Sequence, residues 1–110
     1  EHYSAIFSNE DDLVDQIKTS AAATSERVWQ LPLVDIYKSQ LKAQWADMKN
    51  VGGRAGGSIT ASLFLSEFVE NTKWAHIDIA GPAFLGKTFE HYATGGTGVM
   101  VETALNWIES

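Results

Sequence analysis

With 110 residues, 45% of them hydrophobic and 20% charged, the chain has the size and apolar content of one small domain and not the composition of a disordered segment. A net charge of −6 without any basic cluster argues against nucleic acid and anionic membrane surfaces as partners. Cysteine is absent, which excludes disulfides, thiolate metal sites and a cysteine nucleophile, and no apolar run approaches the roughly 18 residues of a membrane span.

The opening EHYSAIFSNEDD has neither the basic region nor the apolar run of a signal peptide. It lacks a methionine and enters a strand-like stretch, Tyr3 to Phe7, almost at once, so it reads as an excised piece of a longer chain. Ser8 and Asn9 offer an N-cap, and Glu10, Asp11 and Asp12 place negative charge in the first turn of a helix. Leu13, Val14, Ile17 and Ala21 then share one helical face, and fraying is expected near Thr24 and Ser25. Arg27 to Leu33, RVWQLPL, is an extended connector, because Pro32 biases the residue before it away from helix.

From Val34 the period becomes helical again, with Val34, Tyr37, Leu41, Trp45 and Met48 forming a stripe that ends at the glycines near Asn50 to Gly53. Ser58 to Glu70 predicts a helix apolar on most sides, with Leu63, Phe64 and Phe68 packed against the strand that follows. That strand is Trp74 to Ala80, alternating around Ile77 and Ile79 and broken by Gly81 and Pro82. A loop with little pattern runs to about Thr97, and a last helix covers about Val99 to Glu109. The order describes an α/β fold with a partial mixed sheet of two or three strands covered by helices, its edges open.

Four groups of residues raise a question of chemistry. NVGGRAGGSITA, residues 50–61, is glycine-rich, but a phosphate loop needs a leading strand and a lysine before the hydroxyl residue, and both are missing. Arg54 and the free amides near Ser58 are suited at most to a small anion such as a carboxylate; close packing of two helices explains the glycines better. His76 and Asp78, two apart on a strand, point to one face and are competent as a metal pair or as a base with its orienting acid. No third ligand stands at a recognisable spacing, so hydrogen-bonded groups within a sheet are the preferred reading. Glu10 to Asp12 are explained by the helix dipole without a cation, and Ser58, Ser62 and Ser66 by close packing rather than by a nucleophile elbow.

The combination of segments carries more than any one of them. ERVWQLPL at 26–33, ADMKNVGGRAGGSITASLFLSEFV at 46–69, WAHIDIAGPA at 74–83 and ATGGTGVMVE at 93–102 resemble, in order and spacing, the leucyl aminopeptidase (cytosolic aminopeptidase) family. The similarity covers nearly the whole chain and corresponds to the last third of the family's catalytic domain, so residues 1–110 are expected to be a C-terminal segment of such a domain. The resemblance implies a cytoplasmic enzyme, usually a hexamer, that removes N-terminal residues from peptides with two divalent metals, zinc or manganese, and a metal-activated water.

It also implies that the metal ligands and the catalytic arginine lie in motifs preceding this region. This chain alone would then hold no metal and be inactive, and Arg54 is not that arginine. What carries over is Ala80 and Ala83, as wall residues of the pocket for the substrate's N-terminal side chain, small enough to admit leucine-sized groups. Met100 departs from the family by standing where many members have arginine, and residues 86–91 follow no family pattern. The alternative is a non-catalytic assembly or binding module that kept the fold without the metal site; the upstream coding sequence discriminates the two.

Overall fold

The computed structural model describes residues 2–44 and 46–110. Strand β1 (Ser4–Ser8) lies at the centre of a three-stranded mixed sheet, flanked by β2 (Val28–Gln30) and β3 (Ala75–Asp78). β2 runs parallel to β1, with Ile6 opposite Gln30. β3 runs antiparallel, with Ile6 opposite Ile77 and Phe7 opposite His76. Because strand side chains alternate and direct cross-strand partners share a face, Ile6 and Ile77 occupy one side of the sheet. Ala5, Phe7, His76 and Asp78 occupy the other.

Helix α1 (Asp11–Ala23) covers the first side. Val14 and Ile17 pack with Ile6 into one cluster, with Leu13, Ala75 and Ile77 against it, so the predicted stripe faces the core. The cap is different. Glu10 stands at the N-cap with no side-chain hydrogen bond, because Ser8 and Asn9 are used elsewhere. The Ser8 hydroxyl donates to the Trp74 carbonyl (2.6 Å), while the Asn9 amide group donates to Thr72 O and accepts from Trp74 N, both at 2.9 Å. These residues join the start of α1 to the lead-in of β3.

The extended connector is β2, followed by a segment that departs from the sequence reading. In place of a helix from Val34 to Met48, a 3-10 helix spans Asp35–Leu41, and Lys42 is already extended. Of the predicted stripe, Leu41 is buried, and Trp45 lies outside the described residues. A 3-10 helix aligns residues three apart, which here places Asp35 and Lys38 in an ion pair (3.2 Å) that Lys38 extends to Glu67 (3.1 Å). The chain then doubles back. Gly53 donates its amide to the Gln40 side chain (2.9 Å), and a Cβ on Gly52 would stand 3.0 Å from Thr60. Gly52, Gly53 and Gly56 are packing residues, as the sequence suggested, but they let a loop close on a 3-10 helix and α2, whereas Gly57 has open space around it.

Helix α2 (Gly57–Ser66) begins after left-handed Gly56 (φ +65°) and is shorter than predicted. Beyond it the amides of Glu67, Phe68 and Val69 bond three residues back, and a further turn through left-handed Glu70 (φ +50°) is closed by the Thr72 amide on Val69 O. The early stop rotates the last aromatic outward. Leu63 is buried, but Phe68 is 67% exposed, Ile79 is 38% exposed and Ile77 packs on the α1 side of the sheet, so the expected packing of Leu63, Phe64 and Phe68 together on Ile77 and Ile79 is not found. α2 packs chiefly against the 3-10 helix and touches β1, and Phe64 and Phe68 meet each other edge to face at 5.1 Å.

The patternless loop contains a second small sheet, β4 (Phe84–Leu85) antiparallel to β5 (Gly95–Gly96). It leads into α3 (Val101–Glu109), which packs on α1. Among the described residues, no helix is long and apolar enough to cross a membrane.

Candidate functional site

The chemistry-bearing residues of β3 end in a turn. Asp78, the last residue of the strand, accepts the Ser58 hydroxyl on Oδ2 (2.5 Å) and the Ala80 amide on Oδ1 (2.9 Å). The Ser58 hydrogen bond, helped by the Ala80 amide and by nearby His76, holds its carboxyl below the usual carboxylate range against the opposing effect of partial burial. A carboxylate that accepts two such bonds is a structural anchor joining α2 to the end of β3.

His76 shares that face but makes a different set of contacts. Its ring stacks on Trp74 (centroids 6.3 Å apart, planes 11° apart) and lies 6.1 Å from the Phe7 ring. The structure therefore brings His76 and Asp78 to one face, as the two-residue spacing requires, and surrounds the first with aromatics and the second with hydrogen-bond donors. Among the described residues, no three His, Cys, Asp or Glu side chains come together as a group able to hold a metal ion. A two-metal centre does not fit these residues.

The turn after β3 carries the two small residues singled out by the sequence. The Ala83 amide donates to Ile79 O (2.9 Å), closing a five-residue turn with Ala80 near one end and Ala83 at the other. Thr97 fastens the Ala83 end from outside: its amide donates to Ala83 O (3.0 Å) and its hydroxyl to Pro82 O (2.8 Å). Ala80 is exposed and Ala83 half-buried.

The remaining candidates stay apart. Arg54 is exposed in the turn before α2, and Asp11 and Asp12 are exposed on the first turn of α1, with Glu10 only loosely paired to Lys73 at 3.8 Å. The three α2 serines are each committed: Ser58 to Asp78, Ser62 to the Ser58 carbonyl (2.8 Å) and Ser66 to the Leu63 carbonyl (2.7 Å). Ser62 and Ser66 bond backbone carbonyls, the ordinary behaviour of serine inside a helix, and the carboxylate that Ser58 meets is itself engaged by the Ala80 amide.

Sequence reasoning missed Glu26. Its carboxylate accepts the Met100 amide (2.7 Å), the Thr103 amide (3.0 Å) and the Thr103 hydroxyl (2.6 Å). Met100 stands at the N-cap of α3 with φ +72° and has no oxygen to cap with, so a side chain from the α1–β2 connector caps the helix instead. Nothing in a local window signals this, since the partners are 74 and 77 residues apart. Beside it, Arg27 holds Glu90 in a two-pronged pair (2.6 and 3.2 Å) that fastens the β4–β5 loop; the pair is solvent-exposed and so contributes little to stability.

Comparison with known proteins covers the whole of this arrangement. The model of the cytosol aminopeptidase family, catalytic domain, matches residues 1–105. A probable cytosol aminopeptidase of Picosynechococcus sp. is 52% identical over 105 residues, which are 96% of this chain and 21% of that protein. A second, from Rippkaea orientalis, is 47% identical over 110 residues, covering 100% of this chain and 22% of its own length. Among solved structures, a mutant tomato leucine aminopeptidase superposes with a TM-score of 0.87 at 33% identity, over 97% of this chain and 20% of that one. The chain thus spans about a fifth of the length of the curated relatives it matches.

Proposed function

The chain belongs to the cytosol aminopeptidase family, and from that premise we propose that it is a C-terminal segment of a catalytic domain whose parent releases N-terminal amino acids from peptides in the cytoplasm. The observation that carries the reading is the match of the catalytic-domain model to nearly every residue of the chain. In this reading the two divalent metals, zinc or manganese, are held by residues outside this segment. The segment itself supplies packing and one wall of the pocket that receives the substrate's N-terminal side chain. Exposed Trp29, Phe84 and Ile108, and the outer edges of β2 and β3, which pair with no further strand among the described residues, support its seating against further protein, within one parent subunit and in a homo-oligomer.

The test compares the 110 residues with the full-length product of the same coding sequence. The isolated chain is expected to bind zinc or manganese no better than a generic acidic surface, and to release no product from a leucine amide. The full-length product is expected to release it in a metal-dependent way. A stoichiometric metal site with peptidase activity in the isolated chain would move the chemistry into these residues. An inert full-length product would favour a non-catalytic module.

Ala80 and Ala83 are the wall residues in this reading. Replacing either with a bulky residue in the full-length enzyme is expected to lower kcat/KM for leucine substrates more than for alanine substrates. A pocket filled by one or two methylenes discriminates by about 1–3 kcal/mol. An unchanged leucine-to-alanine preference in both variants would remove these residues from the pocket.

A further inference from the structure

The turn that carries Ala80 and Ala83 is held very differently at its two ends. At Ala83 the backbone itself is fastened, by the Ala83 amide on Ile79 O and by the Thr97 amide on Ala83 O, and the Thr97 hydroxyl adds a bond to Pro82. At Ala80 the backbone amide goes to a side chain, Asp78 Oδ1. Ala80 is exposed and has no atom beyond Cβ, so its own side chain supplies no packing to fix its position.

Asp78 is in turn held by an element remote in sequence. Its second oxygen accepts the hydroxyl of Ser58, in the first turn of α2, and the Ser62 hydroxyl on the next turn bonds back to the Ser58 carbonyl. We propose that Asp78 is a positioning residue: it sets the place of Ala80 by holding the Ala80 amide on one carboxylate oxygen while Ser58 fixes the other. This rests on the reading of Ala80 as a wall of the substrate pocket and adds how that wall is kept in register.

The chemistry of the bridge sets the behaviour of its variants. A carboxylate offers acceptors on both oxygens, whereas asparagine offers one carbonyl oxygen and places an NH2 group against a donor. Asp78→Asn can keep the Ala80 bond only by turning its NH2 group to Ser58, whose hydroxyl must then reverse and accept; both bonds lose their charged acceptor, which loosens the turn without emptying its space. Ser58→Ala leaves the Ala80 bond in place and removes the fixed point behind it; Ser58→Thr keeps the hydroxyl. A wall displaced in this way affects a leucine side chain that reaches it more than an alanine methyl that does not.

The experiment measures kcat and KM for leucine and alanine amides in the full-length enzyme and in Asp78→Asn, Ser58→Ala, Ser58→Thr and Ala80→Leu. The expected result for Asp78→Asn is a leucine-to-alanine preference lowered about threefold to tenfold, at or below the lower end of the range for one methylene of pocket misfit because the wall is displaced and not rebuilt, with the loss lying in KM for leucine more than in kcat. Ser58→Ala should move the preference the same way by a smaller factor, and Ser58→Thr should restore it.

The proposal is overturned if Ala80→Leu shifts the preference while Asp78→Asn and Ser58→Ala both leave it within about twofold of the parent, below the discrimination of even one methylene. If Asp78→Asn does not fold, the Ser58→Ala and Ser58→Thr pair decides, and equal preference in the two overturns it. If Ala80→Leu itself changes nothing, the pocket assignment has failed and the proposal falls with it.

Discussion

Replacing Phe7 with alanine is expected to destabilise the fold by about 3–5 kcal/mol, the range for truncating a large aromatic in a packed core. Phe7 is completely buried and sits near the end of the central strand, opposite His76 on the side of the sheet that α2 touches. Its backbone pairs with His76 of β3, and the residue before it, Ile6, pairs with both β2 and β3, so the surroundings cannot collapse far into the vacated space. Phe68→Ala is the contrasting variant. With 67% of its surface already in water, Phe68 has little burial to lose, and a change within about 1 kcal/mol is expected. Denaturant titration of the two variants beside the parent chain measures both. A Phe7 loss of under about 1 kcal/mol would mean that this core is not packed as described.

Removing the carboxylate at residue 26 is expected to cost about 2–3 kcal/mol, through hydrogen bonds to a charged acceptor and the loss of a helix cap. Glu26→Ala leaves the Met100 and Thr103 amides and the Thr103 hydroxyl without their acceptor. Thr103 is the one buried residue of α3, so its partner helps to seat the helix; what remains is the packing on α1, the hydroxyl contact with Thr24 (3.0 Å) and the Trp107–Gln16 bond (3.1 Å). The expected signature is local. Amides of residues 100–109 should lose protection from hydrogen exchange before those of β1, because α3 is held from one face and β1 lies in the centre of the sheet. Glu26→Gln keeps one acceptor and should fall between parent and alanine variant. Unchanged exchange across α3 in Glu26→Ala would show that the helix is held by its packing on α1.

Much of the frame follows from short-range pattern. The 3.6-residue spacing of Val14, Ile17 and Ala21 placed α1 and its buried face, and the alternation around Ile77 placed β3 with His76 and Asp78 on one side. These features are legible because each depends on neighbours within a turn or two of the chain. The family was legible for another reason: four spaced segments together carry a specificity that none carries alone. Ala80 and Ala83 were reached through that resemblance, since a small residue after a strand has no chemical signature of its own.

What the tertiary structure decided lies at long separation. A spacing of three then four residues, as at Val34, Tyr37 and Leu41, fits an α-helix better than a 3-10 helix, in which only residues three apart align, so the local pattern points away from the helix that forms. The choice was made by the glycine loop returning onto Gln40 and Thr60. The same holds for the end of α2, which left Phe68 outside, and for Ser8 and Asn9, drawn from capping α1 to binding residues 72 and 74. Asp78 finds Ser58 across 20 residues, and Glu26 finds α3 across more than 70. A polar side chain bonds the nearest unsatisfied donor in space, and local sequence carries no record of which distant amide folding will bring there.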